Sequence, residues 1–301
     1  MAMKESAHLP HRLFFALTVI LVLILTSCVT VHKAQAQDFA SGTGTMDDPF
    51  IIDTANQLAN LNNYLNQPDV YFKLGSDITS LPSPWTPIGS DFANPFASDF
   101  DGNGHTITGV VYSSQAYVGV FGVSAGSIEN LTVDITLSST AVDASAGALA
   151  GVAEGTIRNC YAAGNVTGTG DYSHVGGLVG LASGSIQESY ATGSVTGVGN
   201  NDAVGGLAGF LTISTVQDCY AIGSVTGTET SDVTGGLVGL NFGGESSNCF
   251  FDSDTAQPAT TDSAGATPEP DAAMKNLFTY KGWDFNDVWT MPVLGYPAFA
   301  S

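Results

Sequence analysis

The apolar positions of this chain do not follow a helical period. Across residues 112–250 they fall in short runs rich in Val, Ile, Leu and Ala, each broken by glycine or a polar turn. Short β-branched and aromatic runs punctuated by glycine predict strands and turns. The runs also recur. Val118-Gly-Val-Phe-Gly122 is followed by Ala146-Gly-Ala-Leu-Ala-Gly151, Val175-Gly-Gly-Leu-Val-Gly180, Val204-Gly-Gly-Leu-Ala-Gly209 and Thr234-Gly-Gly-Leu-Val-Gly239. Their closing glycines are 29, 29, 29 and 30 residues apart. A fixed step of this size predicts a stacked repeat architecture.

The second half of each unit repeats as well. Ile157-Arg-Asn-Cys-Tyr-Ala-Ala-Gly-Asn-Val166 matches Ile186-Gln-Glu-Ser-Tyr-Ala-Thr-Gly-Ser-Val195 and Val216-Gln-Asp-Cys-Tyr-Ala-Ile-Gly-Ser-Val225, and Ser247-Asn-Cys-Phe-Phe251 is a decayed copy. At about 3.3 Å per strand residue, such a unit holds about three short strands and their corners. That is one coil of an all-β parallel β-helix, or β-solenoid, with the β-propeller as the competing architecture. Stacking coils about 4.8 Å apart pairs each backbone edge and closes the core. The glycines suit corners, where φ is positive or backbones approach closely.

Stacking turns repeats into columns. Leu149, Leu178, Leu207 and Leu237 are core candidates. Tyr161, Tyr190, Tyr220 and Phe250 form an aromatic column beside Cys160, Ser189, Cys219 and Cys249. Alternation sends Cys and the next Tyr to opposite faces, and the sequence leaves open which face is inside. The tyrosines are therefore either a structural stack or an exposed strip for sugars or proteins. Thr167, Thr196 and Thr226 form a further column, each followed by glycine, with Thr169 and Thr228 two residues on. A flat threonine column can order water and bind ice; threonine also simply favours strands.

The flanks predict short helical caps at both ends. Residues 37–111 read as an N-terminal cap with the first coils. Thr54-Ala-Asn-Gln57 forms a capping box, with Leu58, Leu61 and Leu65 on one face of a helix near residues 55–66. Residues 112–250 are the repeat solenoid. Residues 251–301 read as a polar linker, Asp252–Ala266, and a C-terminal cap. There, Thr267-Pro268 starts a helix that buries Met274, Leu277 and Phe278, and Trp283, Phe285, Val288 and Trp289 close the far end.

Residues 1–36 read as a secretory leader, with Lys4 and Arg12 before an uncharged apolar stretch at 13–31. Ala34-Gln-Ala36 offers cleavage before Gln37. Leu25-Thr-Ser-Cys28 offers the alternative of a lipoprotein, with Cys28 lipidated. The apolar stretch continues past Cys28 to Val31, which favours the first exit. Without the leader the chain keeps 4 basic residues, and the formal charge of the whole is already −21. Such a surface repels nucleic acid and anionic membranes, so any membrane contact runs through a lipid on Cys28. Cys219 and Cys249 lie on adjacent coils within possible disulfide reach; Cys160 and Cys219 are two coils, about 9.6 Å, apart. A buried thiol column is the simpler reading.

The chemistry of enzymes is thinly represented. None of the five histidines forms a His-Glu-x-x-His motif, and no zinc spacing is present. Gly122-Val-Ser-Ala-Gly126 has the letters of a nucleophile elbow but aligns with repeat corners. Asp99-Phe-Asp-Gly-Asn-Gly104 begins like a calcium loop, yet Val110 stands where the closing Glu belongs, so a glycine-rich turn is the better reading and calcium a weak alternative to no cofactor. Glu188 and Asp218 share a column with Asn159, as a polar ladder more than a catalytic pair.

The phrase Gly-Gly-Leu-Val-Gly followed by Ser-Tyr-Ala-Thr-Gly resembles the GLUG motif, and Val175–Gly197 is nearly its consensus. Gly42–Ile52, Asp101–Ile107 and Met274–Trp289 resemble the usual opening and ending of such proteins. The resemblance implies secretion, display and adhesion, as in filamentous-haemagglutinin-like surface proteins, adhesins and the non-catalytic front part of immunoglobulin A metallopeptidases. It carries no catalytic residue. The expectation is a secreted or outer-surface bacterial module that binds an extracellular glycan or protein, with Tyr161, Tyr190, Tyr220, Thr167, Thr196 and Thr226 as binding candidates. A polysaccharide-acting β-helix enzyme, an ice-binding protein and a structural envelope protein are the alternatives.

Overall fold

The computed structural model describes residues 38–256 and 262–300. The leader, its two cleavage sites and Cys28 lie outside the described residues. The chain winds into a parallel β-solenoid whose register matches the repeat step. Ile157 pairs with Ile186, Val175 with Val204, and Val195 with Val225. Gly151 and Gly180 face each other between the pairs Ala150–Val179 and Val152–Leu181.

Each coil has four faces where the sequence suggested about three strands. In one coil the first face is Ser185–Gln187 and the second runs from Tyr190–Ala191 into Val195–Gly197. The third is Ala203–Gly205 and the fourth is Ala208–Leu211. The first face collects eight strands, beginning at Phe50–Ile52, and the third and fourth collect five each.

The glycine phrase explains the extra face. Strands of the third and fourth faces fold against each other backbone to backbone. A Cβ on Gly176 would sit 2.0 Å from the carbonyl oxygen of Val179 and 2.6 Å from the Gly209 nitrogen. A Cβ on Gly209 would sit 2.5 Å from the Val175 nitrogen. No side chain fits there, so these glycines are required by close approach. None of them has positive φ. The left-handed corner between the first and second faces is instead occupied by Asn130, Asn159, Glu188, Asp218 and Asn248, at φ of 47–55°. Short polar side chains tolerate that region best, and Glu188 is the exception among them.

The core is a set of stacked apolar columns. Leu149, Leu178, Leu207 and Leu237 are fully buried, as are Cys160, Cys219 and Ser189. The cysteine column therefore points inward and the tyrosine column outward. Cys219 and Cys249 remain free thiols, so the bridge considered from their spacing is not formed. Burial pushes the Cys160 thiol up to about 12.

The ends are closed differently from each other. At the start, Thr54 and Gln57 form the expected capping box on a helix Ala55–Ala59, which continues as a 3-10 turn Asn60–Asn63. Leu58 and Leu61 are buried beneath an aromatic cluster of Phe39, Phe50, Tyr64 and Phe72. At the far end the expectation fails in detail. Thr267–Glu269 is a strand paired with Phe250–Asp252, not a helix start. The helix is a single turn, Asp271–Met274, after Pro270. Asn276 then caps a 3-10 turn, which leaves Leu277 and Phe278 exposed while Met274 is buried. The Asp262 carboxylate closes the last open edge, accepting from the backbone N–H groups of Leu237, Val238, Ala264 and Ala266. Part of the supposed linker is thus a plug.

Candidate functional site

The tyrosine column forms as predicted but is not free. Tyr161, Tyr190 and Tyr220 stack with centroids 4.3 and 4.8 Å apart. The C-terminal tail folds back along them instead of closing the end of the coil. Trp283 donates its ring N–H to the Asn248 carbonyl, and Trp289 packs on both Tyr190 and Tyr220. Phe299 reaches Tyr190 edge-on at 5.1 Å. Tyr190 and Tyr220 are 7% and 1% exposed, and only Tyr161 is half-buried. The exposed-strip reading is corrected for Tyr190 and Tyr220, because a large aromatic column was covered by the chain's own aromatic tail.

No other segment among the described residues covers the threonine column. Tyr112, Ser138, Thr167, Thr196 and Thr226 stand in register on the outer side of the second face. Thr167, Thr196 and Thr226 are half-buried between their neighbours, and Tyr112 is 72% exposed. Two residues on, Thr140, Thr169 and Thr228 each donate a hydroxyl to a carbonyl of the preceding coil: Ser113, Ser139 and Val198. Two residues back, Ser224 bonds Ser194, and the Ser194 N–H donates to the Asn165 side chain. No position in these three columns carries a charge, on a chain of net charge −21.

The first face is the charged one. Lys73 pairs with Asp101 at 3.0 Å and Arg158 with Glu129 at 2.8 Å. At the corner beside it, Asp101 accepts from the Asn103 backbone and from the Asn130 amide, and Asn130 accepts from the Asn159 amide at 2.7 Å. The Asn159 oxygen that continues this line is buried with no donor among the described residues. Glu188 comes next in the column, with its carboxyl raised by burial and by Asp218 and Asp284 against the pull of Arg158. Sequence reasoning noted Asn159, Glu188 and Asp218 but missed Asn130 and Asn103; the signal was a recurring Asn or Asp just before the tyrosine strand.

The corner amides and the tail border a cleft of about 690 Å³, lined by Lys73, Asp101, Asn130, Thr132, Asn159 and Phe299 among others. Other candidates are structural in place. Ser124, of the elbow-like phrase, is 1% exposed at the end of a strand. Asp99 accepts from Ser127 and Asp101 is ion-paired, so both side chains of the loop once read against calcium have partners. Among the described residues no group of three His, Cys, Asp or Glu side chains is placed to hold a metal ion. No helix among them is long and apolar enough to cross a membrane.

The repeat geometry coincides with a known family model. The GLUG motif matches residues 143–167, 171–196 and 200–226. The chain is a GLUG-motif repeat protein. A "Putative Gly-rich membrane protein" of Evansella cellulosilytica is 35% identical over 134 residues, 41% of this GLUG protein and 15% of the relative. The chain thus spans a small part of that relative's length. The crystal structure of "a putative immunoglobulin A1 protease" from Bacteroides ovatus superposes with a TM-score of 0.70 at 21% identity, over 87% of this chain and 95% of that one. That likeness is one of fold.

Proposed function

We propose that this GLUG protein is a secreted or surface-attached bacterial binding and adhesion module without catalytic activity. It engages an extracellular glycan or protein through the outer side of the second face. One observation carries the reading: the hydroxyl columns around Thr196 form a broad, regular, uncharged surface, while the neighbouring faces are ion-paired, closed by backbone contact or covered by the tail. Uncharged ligands meet no desolvation of charge there. The membrane-protein name of the Evansella relative supports a place at the cell envelope.

The test is binding of the full chain to a printed array of glycans and matrix proteins, with Thr196→Lys as the control. Arrayed ligands retain the parent and lose the variant if the reading holds. Release of reducing sugar ends from a polysaccharide, with no retention on the array, would replace it with the enzyme reading. The repeated threonine hydroxyls also keep ice binding as a second reading, and freezing-point hysteresis of the purified chain decides it.

A further inference from the structure

The cleft at the corner of the coil has a chemistry of its own. Its polar wall is made of amides and hydroxyls: Asn103, Asn130, Asn159 and Thr132. Its two charges, Lys73 and Asp101, neutralise each other at 3.0 Å. The amides are held in place. Asn103, Asn130 and Asn159 all sit in the left-handed region, at φ of 53–55°. A chain of hydrogen bonds then runs from Lys73 through Asp101 and Asn130 to Asn159. Opposite them, the Phe299 ring forms an apolar wall, fixed by Tyr190 and Trp289 at 5.1 Å each.

We propose that this cleft binds a neutral saccharide. Each corner amide spends one N–H on Leu74, Asp101 or Asn130 and keeps a second that can donate to a ring hydroxyl, while the Thr132 hydroxyl both donates and accepts. An aromatic ring offers a flat apolar surface for the C–H face of a pyranose. The volume, about 690 Å³, lies within the usual range for small-ligand sites. An anionic sugar is disfavoured by the overall charge of −21. A cation finds its only carboxylate, Asp101, already paired. Because the amides are oriented before any ligand arrives, little ordering cost is left to binding. The proposal deepens the binding reading, and rests on it for a role in adhesion, but it uses residues separate from the hydroxyl face.

Saturation-transfer NMR on the full chain with cellobiose, lactose and chitobiose tests it, with galacturonobiose as the charged probe. At least one neutral disaccharide is expected to bind in preference to galacturonobiose. Asn130→Gly and Asn159→Gly remove the amides while keeping the corner conformation, and each is expected to weaken binding about tenfold, the order of one good hydrogen bond. Phe299→Ala, on the opposite wall, is expected to weaken it as well, and circular dichroism melts show that the variants fold. The proposal is overturned by binding of galacturonobiose alone, by silence from all the neutral sugars, or by folded variants that bind like the parent. Array retention that survives the cleft variants but not Thr196→Lys would sink the cleft and leave the hydroxyl face standing.

Discussion

The hydroxyl of Tyr220 donates to the backbone carbonyl of Pro297, a contact between residues 77 apart in sequence. It fastens the tail to the middle of the aromatic column, where Tyr220 is 1% exposed. Tyr220→Phe should cost about 1 kcal/mol, the net worth of one hydrogen bond. Tyr220→Ala should cost about 3–5 kcal/mol, because it removes a buried aromatic from between Tyr190 and the tail tryptophans. Urea unfolding followed by tryptophan fluorescence measures both, since Trp283 and Trp289 report on the same cluster. Equal and negligible losses would show that the tail is not docked.

The back-to-back glycines predict a sharp intolerance. Gly209→Ala places a methyl 2.5 Å from the Val175 nitrogen, against backbone that cannot rotate away. Overpacking of this kind costs about 1–3 kcal/mol or more. Gly104→Ala meets nothing within 4 Å and pays only for its φ of +76°. Thermal melts of the pair should show the larger fall in Gly209→Ala, and the reverse order would contradict the close approach.

Acid should stabilise this protein over part of the range. Asp202 is 1% exposed, and burial lifts its carboxyl from the ordinary 3.8 to about 6 despite the Ser173 N–H it accepts. A carboxyl raised in the folded state binds its proton more tightly there than when unfolded. Stability therefore rises as the pH falls through about 6 and levels off near the ordinary value. Glu188 and Asp262 are shifted in the same direction, both by burial first. Asp101, held low by Asn130, Asn103 and Lys73 against its burial, works the other way in stronger acid. His174, lowered by burial from its ordinary 6.5, opposes this rise in the same range, so the check is a comparison: between pH 8 and pH 5 the melting temperature of the parent should gain on that of Asp202→Asn. A difference that stays constant across the range would contradict it.

Loss of the plug should change the assembly state. Asp262→Ala frees the Leu237 and Val238 N–H groups at the last strand of the fourth face. Exposed strand edges pair with other chains. Size-exclusion chromatography should show dimers or larger species for the variant, whereas a strictly monomeric variant would mean that the edge is protected by something else.

Much of the architecture could be read from spacing. The step between Gly151, Gly180 and Gly209 gave the register, and the leucine before each gave the core, because every coil solves the same packing problem. What spacing could not supply was contact between parts that do not repeat. The direction of the tyrosine column was undecidable from alternation alone, and its cover is a tail more than 50 residues beyond Tyr220. Thr267-Pro268 looked like a helix start because the local rule for proline at a first turn fits; pairing with Phe250–Asp252 prevailed over it. The left-handed corners are legible in the Asn, Asp or Glu preceding each Cys-Tyr or Ser-Tyr, because the repeat glycines serve close approach and leave positive φ to these polar residues. The hydroxyl columns were visible as residues, and only the structure shows that no other described segment covers them.

Because every winding of the repeat meets its neighbours through the same set of contacts, an added winding would fit the stack at both of its joints. Duplicating residues 171–199 would extend the rod by about 4.8 Å and draw the tail the same distance away from the Lys73 corner with which Phe299 shares a cleft. The molecule is in that sense a ruler, whose length gene duplication can adjust one notch at a time.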